Sequence, residues 1–213
     1  MSRLNATLNG IVILAALFFL LSERGPVRSA VAEWQTSRRT SLAATENWDD
    51  LTATAARIGS DRAAVRVVEF IDYQCAFCRE SHRLLRDIVA RDASIAVAYR
   101  HYPLKVLHPR AEEAALAAIC AERSGEFQVL HEYLLADDSW YEVGDWSAVG
   151  AEAGLRDPTQ LVACMASDEA GTRLARDQEL AVKMFVRGTP TFVFPDRVVF
   201  GASPDALLGA FER

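Results

Sequence analysis

The sequence predicts an α/β fold: a β-α-β unit opens the globular part, helices fill the middle, and a β-β-α unit closes it. Three observations carry this reading. Residues 65–71 form a nearly unbroken apolar run, as expected of a strand covered on both faces. Residues 76–91 switch to a helical stripe of Leu84, Leu85, Ile88 and Val89, with charges on the other side. Near the C-terminus, two short β-rich runs at 191–194 and 198–200 flank Pro195-Asp196-Arg197, a hairpin turn.

Taken in order, the chain starts with a targeting signal. Residues 11–21 are eleven apolar positions without a charge, behind a weakly positive start at Arg3. That length suits the core of a secretory signal and is short for a membrane span, which needs about 20 residues. Ala30-Val31-Ala32 has the small-x-small pattern of a cleavage site, but Glu23, Arg24 and Arg28 lie between it and the apolar core. Residues 1–21 are therefore read as a signal anchor, with a cleaved signal peptide as the alternative. Residues 22–61 are polar, broken by Gly25-Pro26, and read as a linker. Trp34, Leu42, Trp48 and Leu51 are spaced too irregularly there for a coiled coil.

From residue 62 the globular domain runs to 213. After the first strand and helix, a second strand covers 95–102 and stops at Pro103. Helical patterns follow at 109–123, 125–135, 146–153, 158–166 and 167–184, making a helical insertion of about 106–184. Pro109 and Pro158 suit first-turn positions, which need no N–H. Asp157 and Ser167 suit N-caps. Ser203-Pro204-Asp205 starts a closing helix through Phe211.

Composition narrows the function. The net charge of −6 and pI near 5.3 argue against nucleic acid or an anionic surface as partner. The only lysines are Lys105 and Lys183, beside abundant arginine and alanine, a bias of genome composition rather than of function.

The chemistry sits where the first strand ends. Cys75-Ala76-Phe77-Cys78 follows it directly, and a helix begins at once. The first turn of a helix has unpaired N–H groups and a favourable dipole for negative charge, so a thiol there ionises readily. Cys78 stands one turn on, on the same face, within bonding reach of Cys75. A strand, a C-x-x-C and a helix together read as a dithiol/disulfide exchange site. A zinc site would need a second pair of ligands, and Cys120 and Cys164 are single and far apart, so no metal is expected. An inert structural disulfide is the other alternative. Far downstream, Gly188-Thr189-Pro190-Thr191 runs into a strand; X-Pro is the one context in which a cis peptide is cheap.

Together these motifs resemble the thioredoxin superfamily, in which a cis-proline loop faces the active-site cysteines. Glu69, six residues before Cys75, matches the acidic residue beneath the disulfide in the DsbA-like branch. Residues 99–104, His108-Pro109 and the helical stretch around Cys120 look like the strand and helical insertion of that branch. The resemblance covers about 62–213.

That resemblance implies a thioredoxin-like fold and roles for named residues. Cys75 is expected to be the nucleophile and Cys78 the resolving thiol. Thr189 and Pro190 are expected to hold a client chain, with Phe77 as a hydrophobic lip. Glu69 is a candidate proton acceptor for Cys78, or else a partly solvated strand-end carboxylate. Cys120 and Cys164 match a second, structural disulfide carried by several such families; two unpaired buried cysteines are the alternative. Ala76-Phe77 departs from the Pro-His of the best-known oxidases, which puts a strongly oxidising potential in doubt. The four histidines are read as structural, with His131 in a helix contact and His82 on the exposed half of the active-site helix.

The expected activity is an extracytoplasmic thiol oxidase, in the periplasm or cell envelope. It would pass the Cys75–Cys78 disulfide to reduced or misfolded client proteins. A membrane quinone reductase would reoxidise it, and it would act as a monomer without a cofactor. An isomerase or reductase kept reduced by a membrane donor is one alternative, and a non-catalytic client-binding chaperone is another.

Overall fold

The computed structural model describes residues 26–60, 62–136, 138–201 and 203–211. The signal segment expected at 1–21 lies outside these residues. Among the described residues, no helix is long and apolar enough to cross a membrane.

Two compact units divide the chain, residues 1–39 and 40–213. The first described element, α1 (Pro26–Thr52), has residues in both. In the first unit, the Arg38 guanidinium lies 5.5 Å over the Trp34 ring. In the second, α1 is broken at Asn47 (φ −119°, ψ 19°), whose side-chain amide donates to the Ala43 carbonyl.

The second unit is built on one five-stranded sheet. Its strands are β1 (Ala56–Gly59), β2 (Ala64–Ile71), β3 (Ile95–His101), β4 (Thr191–Val193) and β5 (Val198–Phe200), in the spatial order β1-β3-β2-β4-β5. β2 and β3 are parallel, joined through α2 (Ala76–Arg91), and the other pairs are antiparallel. Between β3 and β4 stand α3 (Ala111–Arg123), α4 (Phe127–Ala136), a 3-10 turn (Ser139–Glu142), α5 (Trp146–Ala153), α6 (Pro158–Met165) and α7 (Asp168–Lys183). The chain closes with α8 (Pro204–Phe211).

Alternation along β2 creates two cores. Val67 and Ile71 join the cluster with α2, α3 and α4, which includes Leu85, Ile119 and Leu130. Val68 and Phe70 point the other way, to Ala44 and Leu51 of α1 and to Leu180, Ala181 and Met184 at the end of α7. Apolar burial on both sides is what the unbroken hydrophobic run requires. A disulfide joins Cys120 of α3 to Cys164 of α6 (S–S 2.08 Å), closing a loop across the helical block.

Two sequence expectations are corrected. The polar linker of 22–61 is not a linker throughout: 56–59 is an edge strand paired with β3, and Thr40, Ala44 and Leu51 are buried. Two of those three buried positions are Thr and Ala, so the buried stripe does not stand out by hydrophobicity. Pro109 precedes its helix instead of opening it, because Ala114 N–H donates to Arg110 O and Arg110 is the N-cap. Asp157 and Ser167 do cap α6 and α7, accepting from Gln160 N–H and Ala170 N–H.

Candidate active site

The site begins with an acidic turn at the end of β2. Asp72 is buried, and its carboxylate accepts from Gln74 N–H (2.8 Å), Leu104 N–H (2.8 Å) and the His108 ring (2.7 Å). A side chain that bonds the backbone two residues on is the usual way Asp turns a chain. Gln74 is held at both ends: its side-chain oxygen accepts from Arg110 N–H and its carbonyl accepts from the Tyr141 hydroxyl. Arg79 in turn donates to Tyr141 Oη at 3.1 Å. The residues before Cys75 are thus tied to the loop after β3, to α3 and to the 3-10 turn.

Cys75 is the N-cap residue of α2, and Cys78 lies in its first turn. Both are thiols and both are buried. Their environments push them apart. The Cys75 thiol is lowered to about 5, first by the hydrogen bond from Cys78, then by the Cys78 and Phe77 backbone N–H groups and Thr189, against the opposing effect of burial. Cys78 goes well above its ordinary value, chiefly through burial, reinforced by the Cys75 thiolate and Glu69. One sulfur is a poised nucleophile, while the other holds its proton.

Glu69 lies beneath this pair, in mid-strand and fully buried. It pairs with Phe192 of β4 on one side and Tyr99 of β3 on the other. Its carboxyl is raised well above the usual range by burial, with Ser81 opposing and Cys75 adding to the rise. Glu69 Oε1 lies 3.4 Å from Ser81 Oγ, and Ser81 donates to the Cys78 carbonyl at 3.0 Å. The Ser81 hydroxyl is thus shared between the Glu69 carboxyl and the Cys78 carbonyl. The partly solvated alternative for Glu69 does not hold.

The facing loop carries a cis Thr189–Pro190 bond. Cys75 Sγ donates to the Thr189 carbonyl at 3.3 Å. The Pro190 carbonyl is occupied by Gly201 N–H, and Thr191 Oγ1 donates back to the Gly188 carbonyl. The Thr189 carbonyl loses its thiol donor once Cys75 ionises or its sulfur is bonded elsewhere. Phe77 projects into solvent beside Cys75, 62% exposed, and Val106 and Leu107 are exposed on the loop that Asp72 holds.

Cys75, Cys78, Glu69, Phe77, Thr189 and Pro190 come together here, whereas the Cys120–Cys164 disulfide belongs to the helical block. Sequence reasoning missed Asp72, Gln74, Ser81, Tyr141 and Arg110. Asp72 alone left a signal, an Asp three residues before the helix cap at Cys75. His82 is corrected: it is buried, with its ring 3.0 Å from Glu132 Oε2. No group of three metal-binding side chains occurs among the described residues.

Comparison with known proteins agrees with this geometry. A family model described as "Thioredoxin" matches residues 51–212. A thioredoxin-like oxidoreductase from Silicibacter pomeroyi superposes with a TM-score of 0.68 at 30% identity, over 78% of this chain and 95% of that one. The catalytic domain of ScsC from Proteus mirabilis gives a TM-score of 0.69 at 23% identity, over 81% and 96%. Among curated proteins, the Na(+)/H(+) antiporter NhaA 3 of Salinispora tropica is 32% identical over 134 residues, 63% of this chain. The matched stretch is only 20% of that antiporter's length.

Proposed function

The chain belongs to the thioredoxin family, and on that premise we propose that it is a DsbA-like protein that exchanges the Cys75–Cys78 disulfide with client thiols, oxidising them. The observation that carries this reading is the asymmetry of the two sulfurs, one lowered to about 5 and the other raised. A client thiolate attacks Cys75 Sγ, the exposed-side end of the pair. Cys78 leaves as a thiolate in a place that disfavours one, so it must take a proton. Protonated Glu69 supplies it. A second client thiolate then attacks the client sulfur of the mixed disulfide, and Cys75 departs as a stable thiolate. Two electrons pass from client to enzyme, and the client gains one disulfide.

The lowered Cys75 thiol favours the reduced form, and stabilising the reduced form is what makes a disulfide oxidising. Ala76-Phe77 brings no cation to strengthen this, so the lowering rests on backbone and thiol donors alone. Thr189 and Pro190 would align an extended client beside the sulfur. Phe77 would meet its apolar side chains. Disulfides persist outside the cytoplasm, and the apolar segment at 11–21 supports export and anchoring there. A membrane quinone reductase is the reoxidant that suits such a location.

The deciding measurement is the reduction potential of the pair against glutathione. A value well above about −200 mV supports the oxidase; a value near about −270 mV would instead make the protein a reductase or isomerase. Cys75→Ser should abolish exchange in either direction. Retained exchange would overturn the site, and retained client binding without exchange would be the mark of a chaperone.

A further inference from the structure

The proton that Glu69 gives to Cys78 has to be replaced, and Glu69 is fully enclosed. Glu69 Oε2, His131 Nε2 and His82 Nδ1 are among the buried side-chain atoms that lack a hydrogen-bond partner among the described residues, with His101 Nε2, Arg173 Nη2 and Thr189 Oγ1. Their chemistry can be assigned. The Tyr73 hydroxyl lies 3.0 Å from His131 Nδ1. Burial, with His82 and His101 nearby, lowers His131 well below its ordinary value, so it is neutral. We assign the Tyr73 hydroxyl as the donor to Nδ1, which leaves the single imidazole proton on Nε2. His82 places Nε2 3.0 Å from the Glu132 carboxylate, which only accepts, so His82 carries its proton on Nε2 and Nδ1 is an acceptor.

The first three of these atoms are one donor, His131 Nε2–H, and two acceptors, His82 Nδ1 and Glu69 Oε2. That is the complement of a water molecule, which accepts from the first and donates to the other two, and about three bonds is usual for a buried water. The three residues are linked through shared neighbours. The His82 and His131 rings are 5.0 Å apart and edge-on. Tyr99, paired with Glu69 across the sheet, has its ring 4.3 Å from that of His131. Ser81, bonded to Glu69, is the residue before His82.

We propose that a buried water joins Glu69 to His82 and His131, and that His82 and Glu132 pass protons between Glu69 and solvent. This rests on the exchange function proposed above. Glu132 is the outer end, its side chain 29% exposed, with the Arg86 guanidinium 3.7 Å away. When Cys78 leaves as a thiolate, Glu69 gives it one proton and the path returns one from solvent to Glu69. When Cys78 attacks the Cys75 sulfur of a mixed disulfide, the Cys75–partner S–S bond breaks and the Cys75–Cys78 bond forms. The partner leaves as a thiolate, and the Cys78 proton travels outward through Glu69. His82 and His131 touch neither sulfur and act through Glu69. Tyr73 fixes the His131 tautomer. Other charged or titratable groups facing the histidines are Tyr99 and His101 on β3 and Arg83 and Arg86 on α2.

Nitrogen-15 NMR of the reduced full chain tests the tautomers directly. Both His82 and His131 should be neutral Nε2–H forms at neutral pH; a His131 proton on Nδ1 would overturn the path. Stopped-flow resolution of a Cys75 mixed disulfide by Cys78 tests the function. His82→Leu and His131→Gln should slow resolution roughly tenfold or more and change its pH profile. Attack by Cys75 in the first step should be unchanged. Folded variants with normal resolution would overturn the path. If Glu69→Gln slows resolution and the histidine variants do not, the path fails while the acid role of Glu69 stands. Loss of effect in Glu69→Gln as well would remove both. If a variant does not fold, the tautomers of the unaltered protein decide.

Discussion

Between the two sulfurs, one proton is held over a wide pH range. Cys75 is ionised above about 5, while Cys78 keeps its proton. Below about pH 5, reduction of the disulfide therefore takes up two protons, and above it one. The potential should fall by about 59 mV per pH unit below the break and by about 30 mV above it. A redox titration across pH 4–8 checks this, and a single slope would mean that Cys75 is not lowered. The reduced protein also gains stability from Cys75. A lowered thiol stabilises the fold fully above its ordinary value of 9, and this is lost as pH falls through about 5. Glu69 has the opposite sign. Its raised carboxyl stabilises the fold only while it is protonated in both states, so the benefit fades once pH rises above the ordinary value of 4.5. Glu69→Gln, which stays neutral, should raise the urea midpoint of the protein at pH 7 while slowing resolution by Cys78. A lower midpoint would mean that the carboxylate itself is stabilising.

At the level of elements, the N-terminus of α2 works because the turn before it is fixed. Asp72 satisfies two backbone N–H groups and the His108 ring from one buried carboxylate. Asp72→Ala strands both donors, at a cost of about 1–3 kcal/mol for each buried group left unpaired. It should also slow the Cys75 thiolate reaction by loosening the loops on either side. Thiol alkylation rates and urea denaturation measure the two effects, and an unchanged alkylation rate would make Asp72 purely structural. The Cys120–Cys164 bond acts at the same scale but on other elements. With its cysteines 44 residues apart, the chain-entropy account assigns it about 4 kcal/mol. Replacing both cysteines by alanine should cost most of that stability while leaving the potential of Cys75–Cys78 unchanged. A shifted potential would show that the helical block tunes the site.

Across the whole molecule, one buried ion network ties distant segments together. The Arg100 guanidinium of β3 donates to the Asp50 and Leu51 carbonyls at the end of α1 and to Asp177 of α7 (2.8 Å). The other Asp177 oxygen accepts from His101 N–H and the His101 ring, both at 3.0 Å. Burial opposes this charge, yet His101 and Arg100 bring Asp177 down to about 2. The stability it lends is complete above its ordinary value of 3.8 and is lost as pH falls through about 2. Asp177→Asn leaves Arg100 buried without its counter-charge and should cost about 3–5 kcal/mol at pH 7. A urea midpoint unmoved by this change would show that Arg100 finds enough partners in the α1 carbonyls.

What could be read from the chain follows from the range of the forces involved. The sequence by itself determined the apolar strand that ends at Ile71, the helix that starts at Ala76, the caps at Asp157 and Ser167, and the C-x-x-C chemistry. Each of these is local, set by hydrophobic period, turn residues and sulfur spacing within a few positions. Residues 40–59 were misread because they are held by contacts far along the chain. Thr40 and Ala44 are too small or polar to announce a buried face, and β1 is a strand only because β3 offers it a free edge. Only the tertiary structure decided that Glu69 is fully enclosed and that Asp72, Leu104 and His108 form one knot. It also decided that His82 and His131, 49 positions apart in the chain, face each other beneath the cysteines. Burial and pairing set the protonation of such groups, and neither exists until the chain has closed around them.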